Sequence, residues 1–156
     1  MLNVSVMASA TLRPVSIDRS SLWSAALRHL ADAEHLLERG PHASPDQAYH
    51  LAGFAPECAR KACLGDPRFD KAIGHGVGLA SERALDIALA LDVDAHRYEL
   101  RDWAATHPRL SSWREDCRYE RTGTRRRADA EALVTEVRAD VERLAFALWA
   151  DGKVRT

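Results

Sequence analysis

The sequence has little of what small chains use to brace themselves covalently or through metals. Its three cysteines, Cys58, Cys63 and Cys117, are an odd number with no C-x-x-C pair, so neither a disulfide framework nor a zinc ribbon is expected. Cys58 and Cys63 stand five apart on a helical segment, at different azimuths, and read as small apolar residues in a reducing compartment. The seven histidines contain no H-x-x-x-H or H-x-x-E spacing, so no metal site and no cofactor is expected. No apolar run approaches the roughly 18 residues of a membrane span. Neither sign of charge dominates: the net charge is −1, which excludes a whole-molecule polyelectrolyte and leaves only a local basic surface for nucleic acid. Glycine-rich phosphate loops, Ser-His-Asp order and paired-carboxylate motifs are also missing. The first residues lack the basic leader and long apolar core of a signal peptide. Residues 1–17 therefore read as a flexible tail, with Met7 as an alternative start, and the cytoplasm as the expected location.

What is present is helical periodicity. With 156 residues, 46% apolar and 29% charged, the chain suits one domain with its own core. A first helix is predicted over 18–39, capped from Ser16, Ser20 or Ser21 and stopped by Gly40-Pro41, with Leu22, Ala26, Leu30, Ala33 and Leu37 on one stripe. A second opens at Ser44-Pro45 and runs to Leu64, with Ala48, Ala52, Ala55, Ala59 and Ala62 on a face of small residues and Pro56 in its middle. Such a face admits close approach by neighbours and places this helix centrally. A third follows the loop Gly74-His75-Gly76 to about 91, with Ala80, Ala84, Ile87, Ala88 and Leu91 on its inner face. A shorter helix over 95–106, capped by Asp94, is stopped by Pro108. Residues 108–127 read as irregular, and the last helix, 128–149, carries Leu133, Val137, Val141, Leu144 and Leu148, widened by Val134, Ala145 and Trp149. The expected fold is all-α, an up-down four-helix bundle over 18–151 with an extra short helix, an irregular loop before the last helix, and a 152–156 tail.

The second helix reads Ala48-Tyr49-His50-Leu51-Ala52-Gly53-Phe54-Ala55-Pro56-Glu57-Cys58-Ala59-Arg60-Lys61-Ala62. This string resembles the A-Y-Y-L-A-G-Y-A-x-E-C-x-L-K-A helix of a bacterial branch of the HEPN domain family. His75 before the third helix, and Trp113 with Arg118-Tyr119 before the last, fall in the order that branch shows. The resemblance implies a small, commonly dimeric bundle that binds or cleaves RNA in toxin–antitoxin, CRISPR or anti-phage systems. It also implies, for some members, a minimal nucleotidyltransferase partner acting as antitoxin, and for others the loss of catalysis.

The family's ribonuclease motif is an Arg followed four to six residues later by a His, the imidazole moving a proton and the guanidinium steadying phosphorane charge. Arg101-Asp102 through His107 satisfies that spacing, and Arg101 and His107 are the candidate catalytic pair of a metal-independent endoribonuclease. Arg28 with His35 and Arg68 with His75 fit the loose pattern as well, and the expected place near the start of the last helix holds no His. Standing there are Arg118, Tyr119, Arg121, Arg125, Arg126 and Arg127, candidates for RNA or phosphate binding. Glu57 is either half of a surface ion pair with Lys61 or an orienting carboxylate reaching Arg118. Trp113 is a candidate to line a pocket or a dimer seam, and Trp149 a candidate core residue. The alternative function is a non-catalytic helical interaction or scaffold protein.

Overall fold

The computed structural model describes residues 18–65, 79–98 and 103–155, and these residues form no strand. Helix α1 (Arg19–Glu38) begins where the Asp18 carboxylate accepts a hydrogen bond from the Ser21 N–H at 2.8 Å. Asp18, and not one of the neighbouring serines, is thus the cap, since an ionised oxygen makes the stronger bond to an open N–H. Gly40, with φ of +57°, ends the helix in a conformation only glycine adopts easily. Helix α2 (Pro45–Cys63) follows a single 3-10 turn at Gly40–His42, with Pro45 in its first turn as predicted.

Helix α2 lies at the centre. Ala48, Ala52, Ala55, Ala59 and Ala62 are all 0% exposed, and Trp23, Ala26, Leu30, Ala33 and Leu37 of α1 are buried opposite them. Arg19 donates from Nε to the Ala62 carbonyl at 2.9 Å and from Nη2 to that of Leu64 at 3.2 Å. The start of α1 therefore lies on the end of α2, the two run antiparallel, and a cation covers carbonyls the helix end leaves open. Helix α3 (Leu79–Leu91) reaches the same end of α2: Asp92 just beyond it accepts from the Gly65 N–H at 2.7 Å. The long helix α6 (Arg127–Ala150) begins beside the start of α2, because Asp46 accepts from the N–H groups of Gly123 at 2.7 Å and Arg125 at 2.8 Å. Leu133, Val137, Val141, Leu144 and Leu148 line its inner side, as their spacing predicts.

Several expectations are corrected. Within α3 the inward residues are Leu85, Ala88 and Leu89, while Ile87 is 60% and Leu91 67% exposed. That helix is apolar on two sides, and its azimuth is set by Arg60 pairing with Asp86 and by the Asp92 bond to Gly65. The helix expected over 95–106 is a 3-10 turn at His96–Tyr98 and a short α4 (Trp103–Thr106). Asp92, not Asp94, ties that turn down, accepting from the Asp94 N–H at 2.9 Å. Pro108 opens a further short helix, α5 (Pro108–Ser111), where its missing N–H costs nothing. Trp149 is 52% exposed because it sits one residue, about 100°, past Leu148 on the inner line. Residues 152–155 are not a free tail: Gly152, at φ +67°, turns the chain back, and the Lys153 ammonium donates to the Asp94 carbonyl at 2.7 Å. The loop Gly74-His75-Gly76 and the N-terminal 1–17 lie outside the described residues.

Trp113 is 0% exposed, so it lines neither pocket nor seam. Its indole lies directly on Gly53 of α2 and donates from Nε1 to the Tyr49 carbonyl at 3.1 Å, edge-on to Phe54. A Cβ at position 53 would overlap the indole ring itself. Gly53→Ala is therefore expected to destabilise the fold by about 2 kcal/mol or more, read as a shifted urea midpoint with native circular dichroism in water. A wild-type midpoint in that variant would mean Trp113 does not pack there.

Candidate functional site

The basic crossing before α6 is less basic than its sequence suggests. Arg125 donates from Nε to Glu120 at 2.8 Å while its guanidinium lies 4.3 Å over the Tyr49 ring. Arg126 is held by both oxygens of Asp129, at 2.9 and 3.0 Å, and Arg127 by Glu131 at 2.6 Å. These pairs spend cationic charge locally, and they also bring carboxylates to a helix start that favours acids. Arg118 and Arg121 are exposed, and among the described residues no carboxylate pairs with either. The Arg118 guanidinium lies 4.8 Å over the ring of Tyr119, itself 76% exposed. Glu57 does not reach Arg118. Its Oε1 accepts from Lys61 Nζ at 2.9 Å, and both side chains are buried, 4% and 6% exposed, so the pair is neither on the surface nor at the crossing.

Behind the crossing lies an imidazole and aromatic cluster. His50 stacks on Trp113 and meets Phe54 edge-on, and His29 of α1 meets Phe54 from the other side. The Cys117 thiol lies 3.4 Å from His50 Nδ1, and burial pushes that thiol up to about 11. Its half-buried, protonated sulfur is a poor nucleophile.

A second polar cluster is deeper. Arg60 of α2 is 2% exposed, pairs through Nη2 with Asp86 of α3, and lies 4.6 Å over the Trp103 ring of α4. Trp103 stacks on His107 at 5.3 Å. His107 turns Nδ1 towards Thr106 Oγ1 at 2.8 Å and the Trp103 carbonyl at 3.3 Å, leaving Nε2 4.0 Å from Asp140 Oδ1. Asp140 of α6 is 0% exposed, and its Oδ1 also accepts from Arg143 Nη2 at 2.8 Å. Of the candidate catalytic pair, then, His107 is buried beside a carboxylate, and Arg101 lies outside the described residues. Sequence reading missed Arg60, Trp103, Asp140 and Arg143 as a group. The available signal was Asp140 itself, a charge on the apolar stripe three residues after Val137 and four before Leu144.

The His29 and His50 environments set a pH dependence. Burial holds the His29 imidazole below its ordinary range, aided by Arg28 and partly offset by Asp32 and Glu57; burial does the same for His50, aided by Arg118 and His29. The unfolded chain binds these protons near pH 6.5 and the folded chain only at lower pH. The unfolded state thus holds more protons below that point, and stability, complete above it, falls as acid is added. Urea unfolding should show lower stability at about pH 5.5 than at about pH 7.5, with a shallower decline in a His29→Gln, His50→Gln double variant. An identical decline in that variant would assign the acid sensitivity elsewhere.

No family model, curated protein or solved structure matches the chain, so its functional reading rests on side-chain chemistry.

Proposed function

We propose that the chain is a HEPN-like protein, an up-down four-helix bundle acting in the cytoplasm as one component of a toxin–antitoxin or anti-phage system. In this reading it binds RNA, or a partner that carries nucleotides, and works as a homodimer, with a minimal nucleotidyltransferase as antitoxin partner. The observation that carries it is the exposed Arg118–Tyr119 pair with Arg121 nearby in sequence: an aromatic face backed by a guanidinium, with cationic charge no carboxylate takes up among the described residues. Bases stack on such a ring, and the arginines meet phosphates. The membrane plays no part in the proposal, and no described helix is long and apolar enough to cross one. If the protein cleaves RNA without metal, Arg101 and His107 are the pair to do it, with His107 Nε2 exchanging the proton. No group of side chains among the described residues is arranged to hold a metal ion.

A second reading has its own support. Phe146 and Trp149, 70% and 52% exposed, stand ring to ring on α6, as an interaction face would. A non-catalytic helical interaction protein is the reading this favours.

The two separate by binding to a labelled single-stranded RNA. Tyr119→Ala should weaken it about tenfold, and the Arg118→Ala, Arg121→Ala double variant similarly. Arg126→Ala, whose guanidinium Asp129 already holds, should change it less than about twofold. With about two phosphates contacted, log affinity should fall against log salt with a slope near −1.4. Unchanged affinity in both the tyrosine and arginine variants removes the RNA-binding surface and leaves the interaction protein. In parallel, equal RNA cleavage by wild type and His107→Ala removes His107 from catalysis.

A further inference from the structure

Four nitrogen and oxygen atoms in the deep cluster are buried and have no hydrogen-bond partner: Arg60 Nη1, Trp103 Nε1, Arg143 Nε and Asp140 Oδ2. Buried polar atoms are almost always paired, and each one left open costs about 1–3 kcal/mol. Four in one cluster is unusual. They belong to side chains already linked through space: Arg60 over Trp103, Trp103 on His107, His107 beside Asp140, Asp140 bonded to Arg143. Cys63, one turn along α2 from Arg60 and 0% exposed, gives a second sign of convergence. Burial pushes its thiol up to about 12, and it feels the charges of Arg143, Asp140 and Arg60 together.

The chemistry of the open atoms is specific. Three are N–H donors, two of them on guanidinium groups, and the fourth is a carboxylate oxygen that can only accept. A fully deprotonated oxyanion would satisfy the donors and meet repulsion at Asp140. A neutral polar molecule would leave the two guanidinium groups without a counter-charge beyond Asp86 and Asp140. A tetrahedral oxyanion that keeps one proton satisfies all four, accepting from Arg60, Trp103 and Arg143 and donating its hydroxyl to Asp140 Oδ2. Phosphate keeps such a proton at neutral pH, and sulfate does not. Arg143, its side chain 36% exposed, forms the open side of the cluster.

We propose that Arg60, Trp103, Asp140 and Arg143 form a buried site for a protonated phosphate group, with His107 Nε2 at its edge. The group is inorganic phosphate or the terminal phosphate of a monoester. This site is separate from the Arg118–Tyr119 surface and does not depend on that surface binding RNA.

The test is calorimetric titration of the full chain at neutral pH with inorganic phosphate, a nucleoside 5′-monophosphate and sulfate, at matched ionic strength. Phosphate should bind at least about tenfold more tightly than sulfate, because only sulfate leaves the carboxylate facing a bare oxyanion. Tighter binding of the monophosphate assigns the site to esters, and binding of inorganic phosphate alone assigns it to the free ion. Arg143→Gln, a change at the accessible side, should weaken phosphate by about tenfold or more with the helical spectrum retained. Asp140→Asn, which replaces an acceptor by a group that can donate, should erase the preference over sulfate. The phosphate-to-sulfate comparison on wild type needs no variant to fold. Equal responses to the two ions, no heat with either phosphate, or undiminished binding in Arg143→Gln would overturn the site and leave the cluster a charge network of the core.

Discussion

The structure depends on how closely neighbouring elements approach one helix. Five alanines and Gly53 give α2 sides with almost no side-chain volume, and what packs there meets the backbone. α1 lies antiparallel along it, the Trp113 indole rests on Gly53, and α6 supplies its long Leu and Val stripe. Pro56, buried in mid-helix, lacks the N–H that would close a helical hydrogen bond to Ala52. A fold that tolerates this loss has packing on α2 strong enough to offset roughly 3 kcal/mol.

The same crowding explains why charge is found inside. α2 is encircled, so its remaining faces are buried as well, and Glu57, Arg60 and Lys61 are carried in with them. Isolated, each would be prohibitively costly. Glu57 and Lys61 answer one another within the helix, whereas Arg60 must find Asp86 on α3 and the face of Trp103 on α4. Asp140 enters from α6 and takes Arg143 from its own helix. The interior is thus a small-residue rod with one charged flank, and the open hydrogen-bonding atoms lie on that flank. The surface before α6 works the other way. There the arginines are numerous, but most are answered by nearby acids, leaving Arg118 and Arg121.

Much of the fold was legible because it is periodic. The alanine ladder, the α1 stripe and the α6 stripe each repeat at helical spacing, and each is buried as read. Where a segment offered two stripes, as in α3, spacing could not choose between them; the choice rests on ion pairs to other helices. Trp149 was misplaced by being grouped with an adjacent line one residue away. The candidate site was less legible still, because its partners are remote in sequence. Arg60 and Asp86 are 26 residues apart, and nothing local marks them as a pair. A buried aspartate on an apolar stripe was visible, but what answers it was not. The loop arginines stood out in sequence, yet the carboxylates that engage them were interleaved and passed unremarked.

Amide hydrogen exchange along α2 tests the central role of that helix most directly. If α2 is the inner rod, its amides from Ala52 to Ala62 exchange only by global unfolding, slower than those of α3, which exposes Ile87 and Leu91. Exchange of those α2 amides by local opening, at rates matching α3, would contradict it.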